Sequence, residues 1–398
     1  MGNFGRLTRA EDVALLQEAL KADGLDGWLF YEFHGQNPIS KVMLGLDWTT
    51  RRSFTLIPAE GEPRALIHAI EHSSWKHWPF GKTSYAGWRE MEAKLGELLE
   101  GCSRVAAEVS DRNGVPTLDL LPSGIVQLLG DHSVELVPSG NLVSQFYSVW
   151  SEEGLEEHTR SAEVVKQVAA DAFSKAAGAV REGTPTTEGA LSDWIRRELA
   201  NRGLPYEADC IVAIGPRAAD PHYGPVGAGE VIAEGDVLLI DLWGKASEEG
   251  IPADQTWMGI LSDTVPDRVQ NVWETVRNSR DAAIDFLKAA YEAGDEVRAF
   301  EVDDVARAVI ADAGFGEFFV HRTGHSIDTD LHGSGPNLDN LETRDDRKLI
   351  PGVGFSIEPG IYQADDLGIR SEVNVHWGPD GPFVTPSEAQ QEIFRLLP

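Results

Sequence analysis

The sequence contains little cysteine and no long apolar run. Its two cysteines, Cys102 and Cys210, form no CxxC pair, which excludes a disulfide framework and a cysteine-based zinc site and predicts a cytoplasmic location. No stretch of roughly 18 or more apolar residues occurs, so we expect no membrane-spanning segment. The first ten residues lack an apolar core followed by a small-residue cleavage site, so we expect no secretory signal peptide.

Basic residues are also scarce relative to acidic ones. The 398 residues include 34 Lys and Arg against 65 Asp and Glu, which gives a formal net charge of −31. This balance excludes nucleic acid as a partner, because neutralising phosphates requires a basic surface. It excludes docking on an anionic membrane for the same reason. Apolar residues make up 42% of the chain, which is enough for a real core and excludes wholesale disorder.

The length and the pattern of elements predict two domains with a boundary at residues 147–151. Residues 1–150 alternate helical and strand patterns, which is typical of an α/β layer domain. The remainder combines long helices with strands. Helices are predicted at residues 151–183, 185–203, 266–291 and 302–313, and strands at residues 208–215, 237–244, 355–362 and 369–377. Thr184 is the predicted N-cap of the second of these helices.

Two aspartates occur within strand patterns of the second domain. Asp241 follows the apolar run 237–240, and Asp254 lies thirteen residues later. Burying a carboxylate without a partner is costly, so each needs one. If the two segments form a hairpin, Asp241 and Asp254 can face each other. Two adjacent carboxylates then either share a proton or hold a cation between them.

A histidine cluster and two further acids add to this pattern. Three of the chain's 11 histidines lie within twelve residues, namely His321, His325 and His332. Glu358 ends another apolar run, just before a proline. Side chains two residues apart along a strand point to the same face, so Arg370 and Glu372 share one face of a third predicted strand. There they could also simply form an ion pair.

Together these residues provide one histidine and four carboxylates on the strands of one domain. Such oxygen-rich ligation suits Mn, Fe, Co or Zn rather than a thiolate-seeking metal. The charge of two divalent cations balances that of four carboxylates, whereas a single ion leaves an excess of negative charge. Two ions roughly 3.5–4 Å apart would lower the pKa of a bound water towards about 7.

The order of these ligand types resembles that of the pita-bread (M24) metallopeptidases, which include methionine aminopeptidase, aminopeptidase P and prolidase. The residues that carry the resemblance are Asp241, Asp254, His325, Glu358 and Glu372. The resemblance implies an α+β pita-bread catalytic domain at residues 151–398. Residues 1–150 resemble the α/β amino-terminal domain of creatinase, which points to the prolidase and aminopeptidase P branch.

The resemblance also implies a role for each of the five residues. Asp241 would bind one metal ion, and Asp254 would bridge both ions. His325 and Glu358 would bind the second ion, and Glu372 would be the other bridge. In creatinase, a relative, this metal set is missing.

Further roles around the substrate follow from the same resemblance. His222 matches a histidine that contacts the substrate, and His332 matches one that holds the scissile carbonyl and the developing oxyanion. Glu358 is the candidate that accepts the water proton and passes it to the leaving nitrogen. His321 and Arg370 match residues around the pocket for the proline side of the bond, although a structural hydrogen bond or ion pair is an alternative for both.

The predicted activity is hydrolysis of an Xaa-Pro bond at the N-terminus of a small peptide by an enzyme with two Mn, Co or Zn ions. Aminopeptidase P, which takes longer peptides, shares the motifs of prolidase, which takes dipeptides. The compact two-domain length favours the dipeptidase. The resemblance further implies a homodimer.

Two stretches depart from the family pattern. Family members often have a tyrosine three residues before the bridging acid and an arginine three residues after it, where this chain has Ile251 and Trp257. Gly333 follows His332 where a glutamate is commoner. These changes keep open a non-peptide hydrolase or lyase of the same family. A binding module that has lost catalysis is a third alternative, which the intact ligand set disfavours.

Overall fold

The structure is a computed structural model, and it describes residues 5–398. The chain forms two compact units, one extending to Tyr147 and the other comprising Ser148–Pro398. A search of residues 5–398 finds no helix with the length and apolar character that crossing a bilayer requires.

The first unit is built on a six-stranded mixed sheet. Its helices are α1 (Ala10–Ala22), α2 (Pro38–Leu44), α3 (Trp88–Leu98), α4 (Ser123–Asp131) and α5 (Gly140–Phe146). Its strands are β1 (Gly27–Glu32), β2 (Ser53–Pro58), β3 (Arg64–His68), β4 (Gly81–Tyr85), β5 (Arg104–Ala107) and β6 (Glu135–Pro138). The strand order is β4-β3-β2-β1-β5-β6. One apolar cluster joins the sheet to α1, α2 and α5, and another joins it to α3 and α4, as in an α/β layer domain.

The second unit combines four long helices with three small sheets. The helices are α6 (Glu152–Arg181), α7 (Glu188–Asn201), α8 (Asp267–Ala293) and α9 (Ala299–Asp312). The strands are β7 (Tyr206–Ile214), β8 (Val237–Lys245), β9 (Ala253–Ile260), β10 (Ser326–Ile327), β11 (Gly354–Ile357), β12 (Gly360–Gln363), β13 (Leu367–Arg370), β14 (Val373–Gly378), β15 (Gly381–Thr385) and β16 (Phe394–Arg395). The sheets have the orders β16-β9-β8-β7, β10-β11-β14-β15 and β12-β13. Apolar residues of α6 and α7 pack with those of β7, β8 and β9.

The predicted hairpin that carries the two aspartates is confirmed. Strands β8 and β9 are antiparallel, with Asp241 opposite Thr256 and Trp243 opposite Asp254. Residues directly opposite each other share a face of the sheet, and so do residues two apart along a strand. Asp241 and Asp254 are therefore diagonal neighbours on the same face.

Helix α7 begins later than the sequence pattern predicted. Its N-cap is Thr187, whose side chain accepts a hydrogen bond from the backbone of Ala190, so the prediction of Thr184 as the cap is wrong. The backbone N–H of Glu188 donates to the carbonyl of Glu230 at 3.0 Å. This pairing with a distant segment holds the chain extended up to Thr187, so the helix starts only beyond it.

Two predicted strands are each divided in two. Residues 355–362 form β11 and β12, which are separated by Glu358 and Pro359 and lie in different sheets. Residues 369–377 likewise form β13 and β14, separated by Ser371 and Glu372. Pro359 has no N–H to donate to a sheet, which explains the first break. Both glutamates consequently stand where the chain passes between the two-stranded sheet and a four-stranded sheet.

A buried carboxyl group in the first unit gives this unit a pH-dependent stability. Glu108 follows β5 and accepts hydrogen bonds from Trp28 Nε1 at 2.7 Å, Asn37 Nδ2 at 2.8 Å and Ser139 Oγ at 3.2 Å. Burial raises the pKa of Glu108 to about 7, although the three hydrogen bonds act in the opposite direction. The folded chain therefore keeps this proton to a higher pH than the unfolded chain does.

We expect the stability that depends on Glu108 to fall as the pH rises from about 4.5 to about 7. The unfolded chain releases the proton first in this range, so the folded state is progressively disfavoured, by up to about 3 kcal/mol, and the loss is constant above it. Calorimetry of wild type and Glu108→Gln should show a difference in Tm that shifts in favour of the variant across this window. A difference that does not change with pH would contradict the assignment.

Candidate metal centre

A cavity of about 410 Å³ in the second unit is lined by every residue that the sequence pattern singled out for the site. These residues are His222, Asp241, Asp254, His321, His325, His332, Glu358, Arg370 and Glu372. Strands β8 and β9 supply the two aspartates, and the two strand breaks supply the two glutamates. The cavity thus collects residues from four separate parts of the chain, and their individual roles stay predictions.

The closest group of ligand-type atoms comprises Asp254, His325 and Glu372. One ligand atom from each lies within 4.8 Å of the others, and all three side chains are buried. His325 Nε2 is 3.5 Å from Asp254 Oδ2 and 3.6 Å from Glu358 Oε1. On the other side of the ring, Nδ1 is 3.0 Å from the carbonyl oxygen of Ser326, to which it donates. Nε2 therefore faces the acids, and in the neutral ring it would carry the lone pair that binds a metal ion.

Three carboxylate oxygens in this cluster are buried without a hydrogen-bond partner among residues 5–398. They are Asp241 Oδ1, Asp254 Oδ1 and Glu372 Oε1. A buried oxygen that accepts no hydrogen bond is unfavourable by about 1–3 kcal/mol, and more when it is charged. Hard divalent cations prefer oxygen ligands, with imidazole as an accepted partner for transition metals. The donor set therefore fits a metal ion.

The electrostatics of the cluster agree with this fit. Burial raises the pKa of Asp241 to about 7, and the charge of Asp254 contributes to the increase. Burial also raises the pKa of Glu372 well above its usual range. Burial acts on Glu358 in the same direction, but the positive charge of His325 and its neighbours outweighs it and lowers the pKa of Glu358. Cations in the cluster would relieve the repulsion between these acids.

Arg370 links three residues at the cavity by hydrogen bonds. Its guanidinium donates to Asp241 Oδ2 at 2.5 Å, to Thr256 Oγ1 at 2.9 Å and to the hydroxyl of Tyr362 at 3.1 Å. Thr256 Oγ1 in turn donates to Glu372 Oε2 at 2.8 Å. The partner of Arg370 is therefore Asp241 rather than Glu372, and its guanidinium is occupied by protein acceptors.

His321 is held at both ring nitrogens. Nε2 is 2.8 Å from the hydroxyl of Tyr362, and Nδ1 is 2.6 Å from the carbonyl oxygen of Arg322. Since Arg370 donates to Tyr362, a consistent chain runs from Arg370 through the tyrosine hydroxyl to His321 Nε2. The ring of His321 is thereby fixed, and it can present only its face and edge to the cavity.

The other two histidines are more accessible. The ring centroid of His332 lies 4.5 Å from that of His325. Burial, and then the charge of His325, lower the pKa of His332, so the ring is neutral at pH 7 and keeps one N–H to donate. His222 is exposed at the rim, where its backbone N–H donates to Asp220 Oδ1 at 3.0 Å.

Comparison with known proteins places this site in a family. Residues 160–377 match the family model for Metallopeptidase family M24. The chain belongs to this family. The match covers more than half of the chain and includes all nine residues named above.

Individual M24 relatives cover different shares of the chain. A Xaa-Pro dipeptidase of Lactobacillus delbrueckii subsp. lactis is 35% identical over 164 residues, which are 41% of this chain and 40% of that enzyme. The probable dipeptidase PepE of Mycobacterium tuberculosis is 27% identical over 326 residues, 81% of this chain and 80% of that protein. The crystal structure of dipeptidase PepE from Mycobacterium ulcerans is 24% identical, covers 100% of both chains and has a TM-score of 0.76. The likeness shows that the chain has the pita-bread fold.

The two residues that depart from the M24 pattern beside Asp254 lie away from the cavity. Trp257 is on the opposite face of β9 from Asp254 and stacks on Phe394, with ring centroids 5.9 Å apart. Ile251 is buried with Trp150 in a separate apolar cluster. Neither change alters the lining of the cavity.

One buried carboxyl group beside His332 was missed by sequence reasoning. Asp328 Oδ1 accepts the backbone N–H of Asp330 at 3.0 Å, and Oδ2 accepts that of Ser334 at 2.8 Å. These bonds shape the loop that carries His332. A Cβ at Gly333 would lie 2.7 Å from the carboxyl group of Asp328, so only glycine fits there. An aspartate side chain in a turn often accepts the backbone N–H two residues later, as Asp328 does from Asp330. This local pattern was the one indication of the turn in the sequence.

We expect Gly333→Ala to destabilise the protein by about 1–3 kcal/mol, because the added methyl group collides with the Asp328 carboxyl group. Asp328→Ala removes the collision with the carboxyl group, along with two hydrogen bonds, but leaves the approach of the added Cβ to the backbone N of residue 328 at 2.9 Å. The double variant should therefore be more stable than the sum of the two single effects implies. Urea unfolding of the four proteins measures this coupling, and strictly additive effects would refute the contact.

A second residue missed by sequence reasoning supports the rim histidine. Glu188 is fully buried and accepts hydrogen bonds from Ile214 N at 3.0 Å, the hydroxyl of Tyr223 at 2.8 Å and Glu230 N at 2.9 Å. Tyr223 follows His222 in the chain, so this carboxylate anchors the loop that holds His222. Its position at the start of a helix gave no indication of this long-range role.

Proposed function

We propose that the chain is a dinuclear-metal peptidase that hydrolyses the Xaa-Pro bond of dipeptides, as a prolidase does. The observation that carries the proposal is the convergence of one imidazole and four carboxylates on one cavity, with three carboxylate oxygens lacking a partner among the residues described. Membership of the M24 family and the printed names of its relatives support the same activity.

Five residues would hold the metal ions, which we propose to be Mn, Co or Zn. Asp241 would bind one ion, His325 and Glu358 the other, and Asp254 and Glu372 would bridge them. When bound, two such ions supply a hydroxide nucleophile at neutral pH and polarise the scissile carbonyl. Loading is expected to stabilise the protein, because it relieves the repulsion between buried acids.

Glu358 and His332 would perform the proton transfer and the charge stabilisation. The lowered pKa of Glu358 keeps it ionised at neutral pH, so it can accept the proton of the attacking water. It then passes this proton to the proline nitrogen, which as a tertiary amide nitrogen has none of its own. The neutral ring of His332 donates a hydrogen bond to the developing oxyanion. His222 contacts the substrate from the rim.

A screen of dipeptides against a tripeptide tests the activity. Ala-Pro, Leu-Pro and Ala-Pro-Ala are incubated with the protein loaded with Mn, Co or Zn. We expect the dipeptides to be hydrolysed with the higher kcat/KM. A higher value for the tripeptide would indicate an aminopeptidase P. Failure to cleave any Xaa-Pro bond with both metals bound would refute the proposal and favour a non-peptide M24 enzyme.

We further propose that the protein is a cytoplasmic homodimer with a creatinase-like amino-terminal domain at residues 1–150. The free thiols of Cys102 and Cys210 agree with a reducing compartment. The six-stranded α/β architecture of the first unit agrees with the proposed domain type. Light scattering of the full chain tests the oligomeric state, and the mass of a monomer would contradict it.

A further inference from the structure

The ring of His332, the proposed donor to the oxyanion, has no hydrogen bond of its own. Neither its ring nor its backbone forms one within residues 5–398, and the ring packs edge-on against that of His325. A donor to a developing charge is effective only when it is held in place beforehand. The position of His332 is therefore set by the loop that carries it, residues 328–335, which we call the His332 loop.

Two side chains hold the end of the His332 loop. Asp328 accepts the backbone N–H of Ser334 at 2.8 Å and so joins the start of the loop to its end. Arg347 donates to the carbonyl of Ser334 at 2.7 Å and to that of Gly335 at 2.6 Å. The stretch that leads into His332 needs a further support.

A buried lysine supplies this support. Lys245 Nζ donates to the carbonyl of Thr329 at 2.5 Å. The side chain of Lys245 is only 4% exposed, and its charge is paired with Glu207 Oε1 at 2.9 Å. An ammonium group has three hydrogens to donate, so these two partners occupy two of them.

Strand β8 connects this lysine with the metal centre. Side chains two and four residues apart along a strand lie on the same face. Lys245 therefore shares its face of β8 with Asp241 and Trp243, both of which line the cavity. The bond to Thr329 thus joins the His332 loop to the strand that carries Asp241, a proposed metal ligand.

The partner of Lys245 has an unfavourable backbone conformation. Glu207 has a φ of 53°, in the left-handed region that residues with a side chain rarely adopt. It lies where the pairing of β7 with β8 shifts register, between Tyr206 and Asp209. Bulges re-aim side chains, and strain of this kind concentrates at functional sites. Here the re-aimed carboxylate of Glu207 meets Lys245.

Positioning explains this buried ion pair better than stability does. Apolar side chains of similar volume often stabilise a fold as well as a buried ion pair, whereas paired charges can fix how two segments lie relative to each other. Asp330 of the loop is close to the pair. Burial and the charge of Glu207 raise the pKa of Asp330, and the charge of Lys245 lowers it. Without Lys245, the carboxylates of Glu207 and Asp330 would repel each other and displace the loop.

We propose that Lys245 is a positioning residue that holds the His332 loop against β8 and so fixes the His332 ring beside the proposed metal ligands. The inference rests on the proposed Xaa-Pro activity and on the role of His332 in it, and deepens both. Lys245 does not line the cavity, so it acts through His332 and not on the substrate.

Hydrogen exchange tests the contact without turnover. The backbone N–H of Gly333 donates to the carbonyl of Ser326 at 2.8 Å, and that of Ser334 to Asp328, so both report on the loop. In the metal-loaded protein, Lys245→Met should speed exchange of the segment 326–337 by about 10-fold or more, because the loop opens more often. Exchange at the wild-type rate would overturn the proposal.

Two variants accompany this measurement. Lys82→Met is the matched control, because Lys82 Nζ likewise donates to a carbonyl, that of Trp75 at 2.9 Å, but in the first unit. It should leave the exchange of the segment 326–337 unchanged. Glu207→Gln keeps the lysine and removes its charged partner at a position that is 42% exposed, so it serves where Lys245→Met does not fold. It should speed exchange less than Lys245→Met, and no effect at all would contradict the proposal.

A double-mutant cycle shows whether Lys245 acts through His332. Lys245→Met should lower kcat for Ala-Pro by about 10- to 100-fold at full metal content, as expected when a group is misplaced by about 1 Å. Lys245→Arg, which keeps the charge and a donor, should recover part of this loss. In the His332→Ala background, Lys245→Met should lower kcat no further, because residues that act as a unit are not additive. Effects that multiply in the double variant would refute action through His332.

The two measurements separate this proposal from the proposed activity. If Lys245→Met speeds exchange of the loop but the wild type cleaves no Xaa-Pro bond, the activity is wrong and the support of the loop by Lys245 stands. If the wild type cleaves Ala-Pro and the two substitutions act independently, the activity stands and the role of Lys245 is wrong.

Discussion

Replacing Glu372 by alanine is expected to remove bound metal and peptidase activity together. Glu372 is buried, its Oε2 is occupied by Thr256, and its Oε1 has no hydrogen-bond partner in the part of the chain described. One of its oxygens lies in the same 4.8 Å group as atoms of Asp254 and His325. Losing a bridging ligand should reduce metal affinity by more than the roughly 10- to 100-fold that removal of a supporting residue typically causes.

Two further variants serve as controls for the Glu372 experiment. Glu372→Gln keeps the shape of the side chain and removes its charge, so it should also lose metal. Glu342→Gln removes a charge from the same cavity but not from the ligand cluster, so it should keep its full metal content. Metal-free Glu372→Ala should fold, because it buries one fewer carboxylate, and its unfolding transition checks this. A Glu372→Ala variant that is metal-replete and active would refute the bridging role.

Replacing His332 by alanine is expected to lower kcat by on the order of 10²–10³ while the metal content stays full. This is the effect of losing one hydrogen-bond donor to an oxyanion. The ring of His332 stacks edge-on against His325, with centroids 4.5 Å apart, but is not among the proposed ligands. Its lowered pKa keeps it a neutral donor at pH 7. Because the interaction strengthens in the transition state, kcat should fall more than KM rises.

The control for His332 is a histidine outside the second unit. His72 is exposed and contacts the hydroxyl of Ser84 at 3.2 Å, so His72→Ala should leave turnover unchanged. Steady-state kinetics and elemental analysis on both variants decide the question. A His332→Ala variant with wild-type kcat would remove His332 from the mechanism.

Two acids of the candidate site could be found from the sequence because each ends an apolar run, and the order of all five ligand types then resembled the family pattern. Asp241 follows four apolar residues in β8, and Glu358 follows β11 directly. The hairpin of β8 and β9 could likewise be predicted, since two strand patterns with a short connection favour antiparallel pairing. The helix predicted at residues 151–183 forms as α6 (Glu152–Arg181), with the side chain of Ser151 as its N-cap.

What the sequence could not provide is long-range pairing. The breaks at Glu358 and Glu372 arise because the flanking strands join different sheets, and local periodicity carries no information about the partner strand. The bond between Arg370 and Asp241 joins residues 129 positions apart. The late start of α7 has the same cause, because residue Glu230 fixes the backbone of Glu188 from a distance.

The central claim is that five side chains of the second unit hold a pair of metal ions. Elemental analysis of the purified wild-type chain, saturated in turn with Mn, Co and Zn and freed of unbound ions, tests it most directly. The account predicts two divalent ions per chain with at least one of these metals. A chain that retains no ion, or only one, with all three metals would contradict it.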